Sequence, residues 1–303
     1  MTMPMSPRLA ALICVILWSM IAVVAKTGQS RLDFYQFLFL SNVISLLAVG
    51  AACLMAGRQV GRILRPGWRG FFLPSILGLL DCLFYLALYR GYARYNGVIV
   101  LVAQYSWPLM IVLLSSLRDA QWPGRVKALG LVVGSLAFLI AVTKGHLTSL
   151  NISDPISILI VLAGAFCFAL MSTLSKNFVS DAFIGTFWLF FASMMGSLIL
   201  MMSFSQIPHL EDVNLVSVLA NGVFINGVSY ILWVLACARG DASETAALIF
   251  LSPILSAIWL VMFFGEVFVP AYGVALILVL ISGYLCMKPP KRVGSPAEHF
   301  LKE

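Results

Sequence analysis

At 303 residues, 61 % hydrophobic and only 10 % charged, the chain carries far less than the roughly 25 % charge of an ordinary soluble domain and reads as an integral membrane protein. Its net charge of +7 gathers at the ends of apolar segments rather than along a polar face, which argues for membrane topology and against nucleic-acid binding.

Ten apolar stretches follow one another, starting near Leu9, Phe34, Gly70, Gly97, Val126, Ile156, Phe183, Val213, Ala242 and Ala271. Each runs roughly 18–24 residues, long enough as a helix to cross ~30 Å of hydrocarbon. The prediction is an all-α polytopic membrane protein of ten transmembrane helices. The first stretch follows Arg8 as a signal peptide would, but it ends at Lys26 without a small-x-small cleavage site and has a counterpart later in the chain; it is read as a retained helix. Arg58, Arg62, Arg65 and Arg69 crowd the connection between the second and third stretches. With the N-terminus in the cytoplasm, 14 of the 19 Lys and Arg fall on that side and five (Lys26, Arg31, Arg90, Arg94 and Lys144) on the other, satisfying the positive-inside rule with both termini cytoplasmic. The expected location is a bacterial inner membrane. No connection much exceeds about a dozen residues, too few for a soluble catalytic or nucleotide-binding domain. Cys14, Cys53, Cys82, Cys167, Cys237 and Cys286 sit singly in apolar segments, so neither a zinc site nor a disulfide framework is indicated.

The chain also repeats itself. Tyr85, Ala93, Arg94 and Pro108 recur as Tyr230, Ala238, Arg239 and Pro253, each 145 residues on. Weaker echoes pair Lys26 with Lys176, Phe37 with Phe187 and Gly130 with Gly273. Two copies of five helices are therefore expected, spanning 1–145 and 146–290, with a cytoplasmic tail at 291–303. Because five is odd, the second copy starts on the opposite side of the bilayer, and the copies are inverted repeats, a common architecture of alternating-access transporters. Asn96 and Asp241 correspond as helix N-caps, and Asp241 with Glu244 forms a capping-box pattern that gives Glu244 a structural role first. Gly130 and Gly134 form a GxxxG pair suited to close packing within the fold.

The second half closes in a telling way: an apolar helix ending in Gly265-Glu266, a short loop, and a last helix carrying Gly273 and Gly283. In this the chain resembles the drug/metabolite transporter superfamily, specifically the ten-helix exporters built from two EamA-type repeats and, among these, the bacterial aromatic amino-acid exporters. The first half departs from the pattern, with Asp119-Ala120-Gln121 where Gly-Glu would fall. The resemblance implies export of aromatic and other amino acids with broad selectivity. A multidrug or organic-cation exporter of the same superfamily is the alternative.

Polar groups at bilayer depth are costly unless they face a cavity or a partner. In the third helix Asp81, Tyr85, Leu88 and Tyr92 share one face, matched in the eighth by Asn226, Tyr230, Trp233 and Cys237. Gln104, Trp107 and Pro108 in the fourth helix answer Ile249, Ser252 and Pro253 in the ninth. These four faces are expected to line one central, water-filled cavity about a pseudo-two-fold axis. Both prolines are expected inside their helices, where each withdraws a donor from the carbonyl four residues earlier, Gln104 or Ile249; either the helices simply kink or the freed carbonyls also meet a substrate ammonium. Trp18, Phe168 and Phe250, like Tyr85, Trp107, Tyr230 and Trp233, offer ring faces for stacking or for a cation, and most other aromatics face lipid or pack. Asp81 is either a counter-ion or proton site or a bond between helices. Asn42 and Asn226 carry the same two readings, and Ser252 completes the candidate set.

No Walker-type loop is present, so ATP is not a direct energy source. The three histidines, His146, His209 and His299, lie in loops or the tail, leaving no acid–base set at one depth for an enzyme. No charged ring or filter motif marks a channel. The expectation is a non-enzymatic transporter without cofactor or metal. Its partners are amino acids as small-molecule substrates and the lipid bilayer, with no nucleic acid; a monomer suffices and a dimer stays open.

Overall fold

The computed structural model describes residues 5–94, 103–143, 145–146, 155–175, 181–265 and 269–287. Among the described residues the regular elements are all helical, as the composition required. Helix α1 (Pro7–Ser19) begins on Ser6, whose hydroxyl accepts from the Leu9 amide, and on Pro7, placed where a missing N–H is harmless. It continues through α2 (Ile21–Gly28) as one span. Helix α3 (Phe34–Met55) opens with a complete capping box between Asp33 and Gln36. The short α4 (Val60–Leu64) then leads into α5 (Gly67–Arg94). Next come α6 (Trp107–Asp119), α7 (Arg125–Val142), α8 (Pro155–Leu174) and α9 (Ala182–Phe204), the last capped by the Asp181 carboxylate. Helix α10 (Leu215–Leu219) runs into a π-helical segment, Ala220–Val228, and then α11 (Ser229–Arg239). The chain finishes with α12 (Ala242–Ile249), α13 (Ser252–Phe264) and α14 (Pro270–Met287).

Pro7–Gly28, Phe34–Met55, Gly67–Gly91, Ala182–Phe204 and Leu215–Arg239 are long and apolar enough to cross a membrane, and Ile158–Leu174, Ala247–Phe263 and Pro270–Cys286 are shorter apolar helices. The expected cap Asn96, the Glu266 of the Gly-Glu motif, Lys144, Lys176 and the tail 291–303 lie outside the described residues.

The principal contacts join residues before 143 to residues after 155. Helix α3 packs on the π segment and α9 on α5; α1 packs on α11 and α8 on α5; α7 packs on α14. Exchanging the halves maps these pairings onto one another. Small residues bring the helices close. A Cβ on Gly78 of α5 would lie 2.0 Å from the Leu189 carbonyl oxygen of α9. Gly130 and Gly134 press α7 onto α14 and Phe250, with a Cβ at Gly130 falling 2.7 Å from Cys286 Sγ and one at Gly134 2.4 Å from Phe250. Ser282 Oγ donates to the Gly130 carbonyl at 2.7 Å. The GxxxG pair thus packs within the fold.

Two expectations change. The prolines do not sit inside continuous helices: turns at Tyr105–Ser106 and Phe250–Leu251 precede α6 and α13, and Pro108 and Pro253 occupy the first turns of these helices. Apolar periodicity runs through such a break unchanged, whereas a proline is tolerated in a first turn and not in an interior. The capping box at Asp241 is only half formed. The Asp241 carboxylate accepts from the Glu244 amide at 3.1 Å, but the Glu244 carboxylate takes two bonds from the Arg8 guanidinium, at 2.9 and 3.0 Å. A bidentate Arg pair outcompetes one backbone amide, and Glu244 ties α1 to α12.

Helices α6 and α13 end alike. Ala120 has φ 50° and Gly265 φ 65°, both left-handed caps, so the first half keeps the turn although a non-glycine residue there is strained.

Candidate functional site

The two breaks meet inside the molecule, where Tyr105 and Ser252 line a common space. There a cavity of about 30 Å3 is lined by Trp18, Ile21, Phe84, Tyr85, Gln104, Tyr105, Trp107, Phe168, Ile249 and Ser252. Six of the candidates, Trp18, Tyr85, Gln104, Trp107, Phe168 and Ser252, therefore converge on one space. The cavity is small: it holds one or two waters, far below the ~300 Å3 of a small-ligand site.

Aromatic side chains fill the remainder. Trp18 is the hub, with ring centroids 6.1 Å from Trp107, 5.8 Å from Phe168, 6.0 Å from Tyr230 and 4.9 Å from Trp233. Trp107 meets Phe168 at 4.7 Å and Trp233 at 5.7 Å. Most of these contacts are edge-to-face, the arrangement that ring quadrupoles prefer. Two of the three indoles are pinned through nitrogen: Trp18 Nε1 donates to Ile225 O at 3.0 Å and Ser229 Oγ at 2.8 Å, and Trp233 Nε1 donates to Ser172 Oγ at 2.9 Å. Trp107 lines the cavity with no hydrogen bond to its ring nitrogen among the described residues.

Asp81 lies directly behind this cluster and is fully buried. Tyr230 Oη donates to its Oδ1 at 2.5 Å, and Ser193 Oγ approaches its Oδ2 at 3.5 Å. The hydroxyl of Tyr85 neighbours that of Tyr230. Tyr85 and Tyr230, equivalent by the 145-residue offset, thus meet at the molecular centre, 2 % and 0 % exposed, with the carboxylate of one half held by the tyrosine of the other.

The remaining candidates stand away from the cavity lining. Asn42 on α3 donates to Ser193 O at 3.3 Å and Ser197 Oγ at 3.1 Å on α9, joining two helices. Asn226 is buried on the π segment, and neither polar atom of its side-chain amide has a hydrogen-bond partner among the described residues. Phe250 is buried against Gly134, and Pro108 is buried at the start of α6. The side chains of Tyr92 and Pro253 lie outside the described residues.

Sequence reasoning passed over Tyr105, whose hydroxyl donates to Ser252 Oγ at 3.0 Å across the two breaks; its signal was its position three residues before Pro108. It also passed over the π segment. There the dipeptides Asn221-Gly222 and Asn226-Gly227 stand five residues apart, the i to i+5 spacing of a π-helix, and a Cβ on Gly222 would meet Ile44 of α3 at 2.5 Å.

A family profile described as the EamA-like transporter family matches residues 5–143 and again 155–287. No functionally curated protein matches the chain. A solved structure described as "Crystal structure of protein" superposes with a TM-score of 0.78 at 20 % identity, covering 93 % of this chain and 97 % of its own; at that identity the likeness is one of fold.

Proposed function

Because the chain belongs to the EamA-like transporter family and is a multi-pass membrane transporter of the drug/metabolite superfamily, we propose that it exports amino acids, aromatic ones among them, by alternating access through the central cavity. In this reading it resembles the bacterial aromatic amino-acid exporter YddG. The single observation that carries the proposal is the aromatic cluster of Trp18, Trp107, Phe168, Tyr230 and Trp233, contributed by both halves around one small cavity.

An aromatic amino acid needs a stacking surface, an acceptor for its ammonium and a donor for its carboxylate. Ring faces supply the first and attract the ammonium, the Ser252 hydroxyl serves either charged end, and the Trp107 nitrogen is a donor toward the carboxylate. The cavity must widen by an order of magnitude to admit such a ligand. Two inverted halves rocking about their shared axis provide that opening; the weakly hydrogen-bonded breaks at 105–106 and 250–251 are the natural hinges. In this reading the inner membrane of a bacterium holds the protein with both termini cytoplasmic, and one chain contains a complete site.

A second reading, export of organic cations, is favoured by Asp81, a fully buried carboxylate next to the cavity. Efflux from proteoliposomes separates the two. Labelled phenylalanine and tryptophan are tested against tetraphenylphosphonium, with and without a pH gradient. Phenylalanine efflux falling about tenfold in Trp107→Ala, the ~1.4 kcal/mol expected of lost ring contacts, supports the amino-acid reading. Movement of the cation alone, abolished in Asp81→Asn, establishes the second. Transport of neither ends both.

A further inference from the structure

Far from the central cavity, the arginine-rich connection between α3 and α5 builds a second recess. A groove of about 920 Å3 is lined by Arg62, Arg65, Trp68, Arg69, Phe72, Leu73 and Ile76, with Asp181, Ile184 and Gly185 of the α9 end as its other wall. We propose that this groove is a binding site for an anionic phospholipid of the leaflet that faces the arginine-rich loops.

The charge of the groove is uncompensated. Its one carboxylate, Asp181, is engaged by Arg58 at 3.0 Å, leaving Arg62, Arg65 and Arg69 exposed without an ion-pair partner among the described residues. The same Arg58 lies 4.8 Å over the Phe183 ring, and Trp188 Nε1 donates to the Ile63 carbonyl at 2.9 Å. The short helix α4 is therefore held against α9, and with it Arg62 and, just past its end, Arg65.

The groove is also two-ended. Along one face of α5, Phe72 and Leu73 lie three and four residues after Arg69, and Ile76 four and three residues after them, so charge gives way to the exposed apolar side chains of Phe72 and Ile76 over ~10 Å of helix. Trp68, 72 % exposed, lies against Phe72 with ring centroids 3.5 Å apart and planes tilted by 36°, the position of an interfacial aromatic. A free phosphate would account for the arginines and leave the apolar half unexplained. A phosphodiester headgroup with its acyl chain accounts for both, and basic pockets between helices are the recurring form of such sites.

The test uses the full chain in neutral detergent micelles, with native mass spectrometry counting lipids retained. Phosphatidylglycerol and phosphatidylcholine of the same acyl chains are compared, with glycerol 1-phosphate as the headgroup alone. Phosphatidylglycerol is expected to be retained preferentially. Each of Arg62→Gln, Arg65→Gln and Arg69→Gln is expected to weaken it about fivefold, the ~1 kcal/mol of a basic residue beside an anionic headgroup. Glycerol 1-phosphate is expected not to compete. Equal retention of the two lipids, an undiminished affinity in the triple variant, or full displacement by glycerol 1-phosphate overturns the proposal, the last by making the groove a soluble-anion site. If the triple variant does not fold, quenching of Trp68 by brominated-chain phosphatidylglycerol decides in its place. Quenching in excess of that by brominated-chain phosphatidylcholine must disappear in Trp68→Phe, and its persistence there is equally fatal.

Discussion

The bond between Tyr230 and Asp81 joins the halves of the protein at its centre, and its strength is open to measurement by a double-mutant cycle. The tyrosine hydroxyl donates to Oδ1 at 2.5 Å, and both residues are fully buried. Removing the hydroxyl in Tyr230→Phe leaves the carboxylate with Ser193 alone, at the outer limit of a hydrogen bond, 3.5 Å. A buried acceptor deprived of its donor costs about 1–3 kcal/mol, while hydrogen bonds between helices within bilayers rarely exceed about 1.7 kcal/mol in measured coupling. We therefore expect Tyr230→Phe to destabilise by about 1.5 kcal/mol in the native background and by less than about 0.5 kcal/mol in Asp81→Leu, where no acceptor is left to orphan. The difference, about 1 kcal/mol, is the coupling. Unfolding in mixed micelles of mild and denaturing detergent, followed by circular dichroism, reads it. Strict additivity of the two substitutions would refute the reasoning and return Asp81 to a role independent of its partner.

Two further substitutions probe the frame around the site. Gly78→Ala drives a methyl to within 2.0 Å of the Leu189 carbonyl oxygen; a backbone atom cannot rotate away, so α5 and α9 must part, at a cost of about 3 kcal/mol, the upper end for overpacking. A matched Gly273→Ala on α14, where nothing lies within 4 Å, is expected to stabilise by up to about 1 kcal/mol through helix propensity; the two shifts in thermal midpoint should have opposite signs. Ala120→Gly relieves a left-handed alanine at φ 50° and should raise stability by about 1 kcal/mol, read as a higher midpoint with unchanged transport.

How much of this was legible in the sequence follows from what a repeat records. Duplication preserves positions whose backbone or packing role is the same in both copies. The 145-residue offset therefore located the tyrosine pair and the paired prolines, though not the breaks ahead of Pro108 and Pro253, and it also relates the left-handed caps at 120 and 265. The last holds even where the residue type has diverged, because Asp119-Ala120-Gln121 still makes the turn that Gly265 makes with less strain. What the offset does not record is which of two equivalent polar positions has a partner. Asp81 and Asn226 correspond, yet one receives Tyr230 and Ser193 while the other lies on a π segment with its side-chain amide unpaired among the described residues. Gly222 and Gly227 let the wider π turn press on α3, where a Cβ at Gly222 would meet Ile44 at 2.5 Å, whereas the corresponding stretch of α5 is α-helical. Nor does residue type give volume. Six aromatic or polar candidates were placed on a common centre, but only interlocked rings in three dimensions reveal that they leave room for a water or two. The repeated residues thus record what the two copies share, and the unrepeated ones, Asp81 against Asn226 above all, record where they differ.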